Sequence, residues 1–285
     1  MSKNIIYYFT GTGNSLAVAR SIGSSMTEVA VIPMLKEDAH TYIDAHTESV
    51  GLIYPIHVNS VPHAVIHFIQ KLKVPPSCFF YAVTTHGGIP GMSGLYLNKI
   101  LKKQGINLEA YHEIEMLNNT PKGIAPKFLM RLNWELDITP IKVDQNLSAT
   151  QIEINRIIKD IKDRKETTLQ KPPRGTRRML YWLMQIMWLV SNPSKNKLQF
   201  LVDDSCIGCG ICEQVCTTKR IKMDGERPKW VHDECNFCYA CFNYCPKEAI
   251  GVKYYTKKLG RYHHPDISAQ DIAAQTKQGT HVSFY

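Results

Sequence analysis

Eight of the nine cysteines of this 285-residue chain lie between Cys206 and Cys245, in two runs of one pattern. The first is Cys206-x2-Cys209-x2-Cys212-x3-Cys216; the second is Cys235-x2-Cys238-x2-Cys241-x3-Cys245, with Pro246 directly after. Thiolates are soft ligands, and three of them spaced three residues apart let a loop wrap one corner-sharing iron–sulfur cube. The fourth ligand of such a cube must come from a distant segment. A disulfide framework would need an oxidising compartment, and nothing in the sequence suggests export. Paired zinc sites would use two ligand pairs per metal, which two runs of four at 2-2-3 spacing do not resemble.

The runs resemble the bacterial two-cluster ferredoxin pattern, in which the fourth cysteine of each run ligates the other cluster. The resemblance implies two [4Fe-4S] clusters. One would take Cys206, Cys209, Cys212 and Cys245, the other Cys216, Cys235, Cys238 and Cys241. Crossed ligands tie the halves into a domain too short to bury much apolar surface, so the clusters must supply its stability. There is one departure: Thr217 stands where a proline often follows the fourth cysteine.

A second chemical signal lies at the N-terminus. Ile5, Ile6, Tyr7, Tyr8 and Phe9 read as a buried strand, followed at once by the loop Thr10-Gly11-Thr12-Gly13-Asn14-Ser15 and a helix with Leu16, Val18, Ala19 and Ile22 on its apolar side. Strand, glycine-rich loop and helix start make an anion site, because backbone N–H groups and the helix dipole both favour negative charge there. The lysine of a nucleotide-binding P-loop is absent. Leu16 stands where a dinucleotide fingerprint needs its third glycine, and the second strand, Val29 to Pro33, does not end in an acid. The hydroxyls of Thr10, Thr12 and Ser15 suit a terminal phosphate monoester such as that of FMN.

This loop resembles that of the flavodoxin family. Further strands at Ser49–Pro55, Cys78–Thr85 and Leu108–Met116 alternate with helices beginning near Pro62 and spanning about Ser93–Gln104. The alternation implies an α/β fold with a doubly wound parallel sheet covered on both faces. The flavodoxin-like strand order would be 2-1-3-4-5, with the ligand at the carboxyl ends of the strands. Loops Thr10–Ser15, Tyr54–Ser60 and Thr85–Gly88 should then meet. The resemblance implies flavin-ring contacts from Tyr54, His57 and His86, with Gly87 and Gly88 letting backbone amides approach. Cys78, opening a strand, reads as a small core residue.

Residues 117–147, with Pro121, Gly123, Pro126 and Pro140, read as an inserted loop or lid. Ser148–Lys165 reads as the last helix of the first domain, with Ser148 as its cap. Lys171-Pro172-Pro173 marks a boundary. Thr176–Ser191 is an apolar helix with a basic end, expected to be clamped between domains rather than laid on a membrane. Ala249–Tyr255 reads as a closing strand and Ser268–Ala274 as a short helix. The expected domains are 1–165 (flavodoxin-like, FMN-binding), 166–198 (basic linker and connecting helix), 199–256 (a small α+β two-cluster ferredoxin-like domain) and 257–285 (a tail packing on the body).

The net charge of +9 is concentrated in the connector. Residues 1–165 carry 17 Lys+Arg against 14 Asp+Glu, residues 166–198 carry 6 against 1, and residues 199–285 carry 11 against 10. No basic patch is interleaved with aromatics, which argues against nucleic acid. The longest apolar run, Met179–Val190, is shorter than the roughly 20 residues of a membrane span, and the start of the chain has no signal-peptide pattern. These features lead us to expect a cytoplasmic location.

The order of parts resembles a family of flavodoxin–ferredoxin fusion proteins of anaerobes. It implies an electron-transfer iron–sulfur flavoprotein whose partners are redox proteins or small electron donors and acceptors. Two other readings stay open at this level. One is an FMN-dependent reductase of a small organic acceptor; the other is a ferredoxin or redox-sensing module on a flavin-free docking domain. The sequence assigns no catalytic residue.

Overall fold

The structure, a computed structural model, describes residues 3–57, 60–88, 90–121, 138–169, 179, 200–253, 260–276 and 283–284. Five parallel strands form its main sheet: β1 (Asn4–Tyr8), β2 (Val29–Pro33), β3 (Ser49–Pro55), β4 (Phe79–His86) and β5 (Ala110–Glu115). Their order is 2-1-3-4-5, and β1 pairs with both β2 and β3. Strands in the middle of such a sheet are covered on both faces, so they read as continuous apolar runs. Ile5, Ile6, Tyr7 and Tyr8 of β1 and all five residues of β2 are buried.

Helix α1 (Asn14–Ser24) buries Leu16, Val18, Ala19 and Ile22 against the sheet, the positions that its sequence marks as apolar. Helices α2 (His63–Ile69) and α3 (Ser93–Lys103) make the other crossovers. Cys78, just before β4, is a buried core residue, and burial pushes its thiol up to about 11.

Two expectations need correction. Helix α4 runs from Pro140 to Lys162, so residues 140–147 are helix rather than inserted loop. Its cap is Thr139, whose side chain accepts the Lys142 N–H at 3.4 Å, and Ser148 lies inside the helix. The sequence signal was present but misassigned: a threonine followed by proline is a cap and first helical position, where proline's missing N–H costs nothing. The sheet also gains an edge strand, because β10 (Ser283–Phe284) pairs antiparallel with β2. Residues 122–137, almost all of the expected helix Thr176–Ser191, and Tyr254–Tyr255 lie outside the described residues. Among the described residues no helix is long and apolar enough to cross a membrane.

The cysteine-rich part is built from short pieces. Strand β6 (Leu201–Val202) pairs antiparallel with β9 (Ile250–Gly251), and β7 (Ile221–Asp224) with β8 (Arg227–Trp230). Single-turn helices α5 (Ile211–Gln214) and α6 (Ala240–Asn243) each carry the third cysteine of a run, Cys212 and Cys241. A compact apolar cluster of Phe200, Cys212, Ile221, Phe242, Ile250 and Val252 fills the space between them. Helix α7 (Ala269–Ala274) follows, capped by Ser268 in a reciprocal arrangement with Asp271.

Because Thr139 supplies the only side-chain cap of α4, Thr139→Ala should destabilise the protein by about 1 kcal/mol while Thr139→Ser stays near wild type. Urea unfolding of the three proteins side by side tests this.

Candidate functional site

The two cysteine runs fold as near repeats of one another. Left-handed backbone recurs at matching places: Gly208 and Phe237, Gly210 and Tyr239, Lys219 and Glu248. Non-glycine residues seldom adopt this conformation, so its recurrence in Phe237 and Tyr239, where the first run has Gly208 and Gly210, shows that both runs follow one loop path. Matching amides also point at sulfur. Arg220 N–H meets Cys216 Sγ at 3.2 Å, and Ala249 N–H meets Cys245 Sγ at 3.3 Å.

The folded runs line two cavities, each with four cysteines drawn from both runs. One cavity is lined by Cys206, Cys209, Cys212 and Cys245, the other by Cys216, Cys235, Cys238 and Cys241. No three His, Cys, Asp or Glu among the described residues converge closely enough for a single metal ion. A four-iron, four-sulfide cube needs a wider cage, and four thiols facing each cavity with N–H groups aimed at their sulfurs suit it. Burial raises the thiols of Cys212 and Cys238 to about 11 and about 12, and holds Cys241 well above the ordinary range. Only a cationic metal core would make thiolates stable in such surroundings.

The anion-site loop lies at the carboxyl ends of the strands. It rims a third, open cavity with Thr10, Gly11, Thr12, Asn14, Ser15, Ile56, His57, Thr85, His86 and Gly87. Loops after β1, β3 and β4 therefore meet there. Gly13, with φ of +102°, turns the chain into α1 and donates its N–H to Thr10 Oγ1. The amides of Gly11, Thr12, Asn14, Ser15 and Leu16 find no acceptor among the described residues. Thr10 and Thr12 accept hydrogen bonds at their hydroxyls from Gly13 N–H and Asn119 Nδ2, so each keeps its own proton to donate. Buried amides without acceptors at a helix start fit a phosphate.

His57 and His86 flank this cavity and are both held neutral by burial. The Asn236 carbonyl can only accept, so at 2.8 Å His57 Nδ1 carries the proton. Burial takes His57 down to about 4. His86 Nδ1 instead accepts the Gly88 N–H at 3.3 Å. Gly87 approaches the chain at Asn118, where a β-carbon would lie 2.7 Å from the Asn118 Cβ. Gly88 is exposed at φ +120° and does not line the cavity. Tyr54 is not at the cavity either. It is fully buried in the sheet, its hydroxyl raised well above the usual range by burial and then by Tyr111 and Glu113. Its place in β3 next to a cavity-lining loop suggested a contact, but strand alternation turns the ring into the core.

Several groups at the site have no signal in the sequence. Leu117 and Asn119 reach the cavity from beyond β5. The C-terminal segment then wraps the loop: Gln275 Oε1 accepts the Thr10 N–H at 2.9 Å and its Nε2 donates to the Thr10 carbonyl at 3.1 Å. His264 N–H donates to the Thr12 carbonyl at 2.8 Å, and the Tyr262 hydroxyl to Asn14 Oδ1 at 2.9 Å. The cysteine-rich part touches the same loop. A β-carbon at Gly11 would lie 2.4 Å from the Cys238 carbonyl oxygen and 2.9 Å from its Cβ.

His57 makes this contact sensitive to acid. Its ordinary value of 6.5 falls to about 4 on folding, so the unfolded chain takes up the proton first. Stability contributed by neutral His57 is complete above pH 6.5 and declines as pH falls toward 4. Urea midpoints at pH 7 and pH 5 should therefore drop less in His57→Gln than in wild type.

Residues 205–250 match the family model described as a 4Fe-4S dicluster domain. No curated protein matches the chain. Among solved structures, the chain is similar to the rubredoxin oxygen oxidoreductase of Desulfovibrio gigas at 16% identity, over 55% of this chain and 36% of that one, with a TM-score of 0.31. It is similar to the two-electron reduced flavodoxin of Megasphaera elsdenii at 15% identity, over 41% of this chain and 88% of that one (TM-score 0.32). An azoreductase from Bacillus anthracis str. Sterne aligns at 12% identity over 55% of this chain and 99% of that one (TM-score 0.36). The alignment thus spans about a third of the oxidoreductase. Strand order, rather than these overlaps, carries the assignment of the first fold. The protein joins a flavodoxin-like parallel-sheet domain to a small ferredoxin-like region that matches the 4Fe-4S dicluster model.

Proposed function

We propose that the protein is an electron relay in which FMN, held at the Thr10–Ser15 loop, exchanges electrons with two [4Fe-4S] clusters held by the crossed cysteine sets. Bound FMN supplies two-electron chemistry, and each cluster supplies a one-electron step. Such a protein couples two-electron partners to one-electron partners.

The observation that carries this reading is the contact of Gly11 with Cys238. It sets Cys238, a ligand in this proposal, against the loop suited to a phosphate, with no side chain of residue 11 between them. The unpartnered amides of Gly11, Thr12, Asn14, Ser15 and Leu16 would hold the phosphate, with the hydroxyl protons of Thr10 and Thr12 beside them. His57 and His86, both neutral, would flank the ring without adding charge. Gln275, His264 and Tyr262 keep the loop in shape from the far side. The division into an FMN domain, a linker, a dicluster domain and a packed tail belongs to the same proposal, as does an external redox partner.

Anaerobic purification with flavin, iron and sulfide counted on one sample tests the relay. We expect one FMN per chain and about eight irons, as two four-iron clusters require. Full iron with no flavin, even after incubation with added FMN, would overturn it and leave a dicluster domain on a flavin-free docking fold.

A further inference from the structure

The two cluster loops repeat each other in backbone, yet differ at one buried position. After the fourth cysteine, the second run has Pro246 and the first has Thr217, which is 9% exposed. Proline offers no N–H and no hydroxyl. Thr217 Oγ1 lies 3.7 Å from Cys238 Sγ and 3.0 Å from Asn236 Nδ2. An amide nitrogen only donates, so Thr217 accepts from Asn236 and its own proton is left for the Cys238 sulfur. Asn236 in turn accepts at its carbonyl from His57 on the rim of the phosphate cavity. A hydrogen-bonded chain His57–Asn236–Thr217–Cys238 thus joins the cavity to one cluster ligand.

Neighbouring groups do not duplicate this role. Thr218 lies 3.6 Å from Cys216, but its hydroxyl proton goes to the Glu234 carbonyl at 3.0 Å. Arg220, buried beside Cys235, brings a cation to the same cysteine set. In the other set, Cys209 is exposed and finds no hydrogen-bond donor among the described residues.

The sets also differ in position. Cys238 abuts Gly11, whereas the cavity of Cys206, Cys209, Cys212 and Cys245 is lined by no residue of the sheet domain. Ile207, between two of its ligands, is 58% exposed. The set of Cys216, Cys235, Cys238 and Cys241 faces the phosphate cavity, and the set of Cys206, Cys209, Cys212 and Cys245 faces outward.

We propose that Thr217 tunes the cavity-side cluster upward in potential, so that an electron entering at the outward Cys206–Cys212 loop runs toward the phosphate cavity. A donor aimed at a ligating sulfur favours the more electron-rich state, which raises the potential. Burial of this set works the other way, because added negative charge is costly away from water. Thr217 and Arg220 offset that cost. In the step itself an external one-electron carrier loses one electron to the outward cluster. The same electron then leaves that cluster for the cavity-side one, and no proton moves. Thr217 acts through Cys238 and is a positioning residue. The inference rests on both cysteine sets holding clusters.

Potentiometric EPR on the anaerobic full-length protein tests it, with Thr217→Val, Thr217→Ser and Cys209→Ser beside wild type. Cys209→Ser disturbs the outward set and so assigns the signals. We expect Thr217→Val to lower the cavity-side potential alone by about 59 mV, the equivalent of a tenfold change in its reduced-to-oxidised ratio. Thr217→Ser, which keeps the hydroxyl, should restore the wild-type value. Unchanged potentials in Thr217→Val, an upward shift, or a shift confined to the outward cluster would overturn the proposal. Iron counted on the same samples separates this from failure of the two-cluster reading, which would show as iron well below eight in the wild type. If Thr217→Val loses iron, the comparison of Thr217→Ser with Thr217→Asn decides: a lowered cavity-side potential in Thr217→Ser overturns the assignment.

Discussion

Close approach of backbone to backbone at Gly11 is the constraint on which the arrangement depends. A side chain there would meet the Cys238 carbonyl at 2.4 Å, well inside contact distance. With glycine, the turn after the first strand can lie directly on the loop that carries Cys238. Everything else at the junction is built around that closeness. Asn119 binds Thr12 from one side, and Asn243 of the cysteine-rich part binds the Asn119 carbonyl at 2.9 Å. Tyr262 spans both parts, donating its hydroxyl to Asn14 and its backbone N–H to the Asn243 side-chain oxygen.

The C-terminal segment is what fastens these parts together. Arg261, nearly buried, donates to the carbonyls of Phe242, Glu248 and Ile250 and lies 3.9 Å over the Phe242 ring. That ties the segment to the cysteine-rich part. Fourteen positions later Gln275, fully buried, makes two hydrogen bonds with the backbone of Thr10. A buried amide side chain with both ends satisfied behaves like a length of extra backbone, and it is costly to remove. The tail is therefore part of the loop's support.

The cysteine-rich part holds its two cysteine-lined cavities with little apolar core. Phe200, Ile221, Phe242, Ile250 and Val252 are its main buried apolar residues outside the ligands. Strands of two to four residues and single-turn helices would not persist alone. Thiols facing two cavities, and left-handed turns held in Phe237 and Tyr239, suit the proposed metal cores, which would contribute to folding.

Much of this was legible in the residues, for identifiable physical reasons. The ligand spacing, the apolar run Ile5–Phe9 and the glycine-rich turn are local signals, each set by bond geometry or by burial on both faces of a strand. The boundaries of β2 and β3 and the start of α3 rest on local signals of the same kind in their own segments. Thr139-Pro140 is also a local signal, and reading it as a break rather than a helix start misplaced the beginning of α4. What the tertiary structure alone decided is who meets whom. Nothing in the sequence places Gln275 on Thr10, Asn236 on His57, or Thr217 on Cys238. These pairs are brought together by packing across long separations, through single hydrogen bonds between common residue types that leave no periodicity to read. Tyr54 shows the converse: a strand-end position consistent with a site, turned into the core by the alternation of side chains along β3.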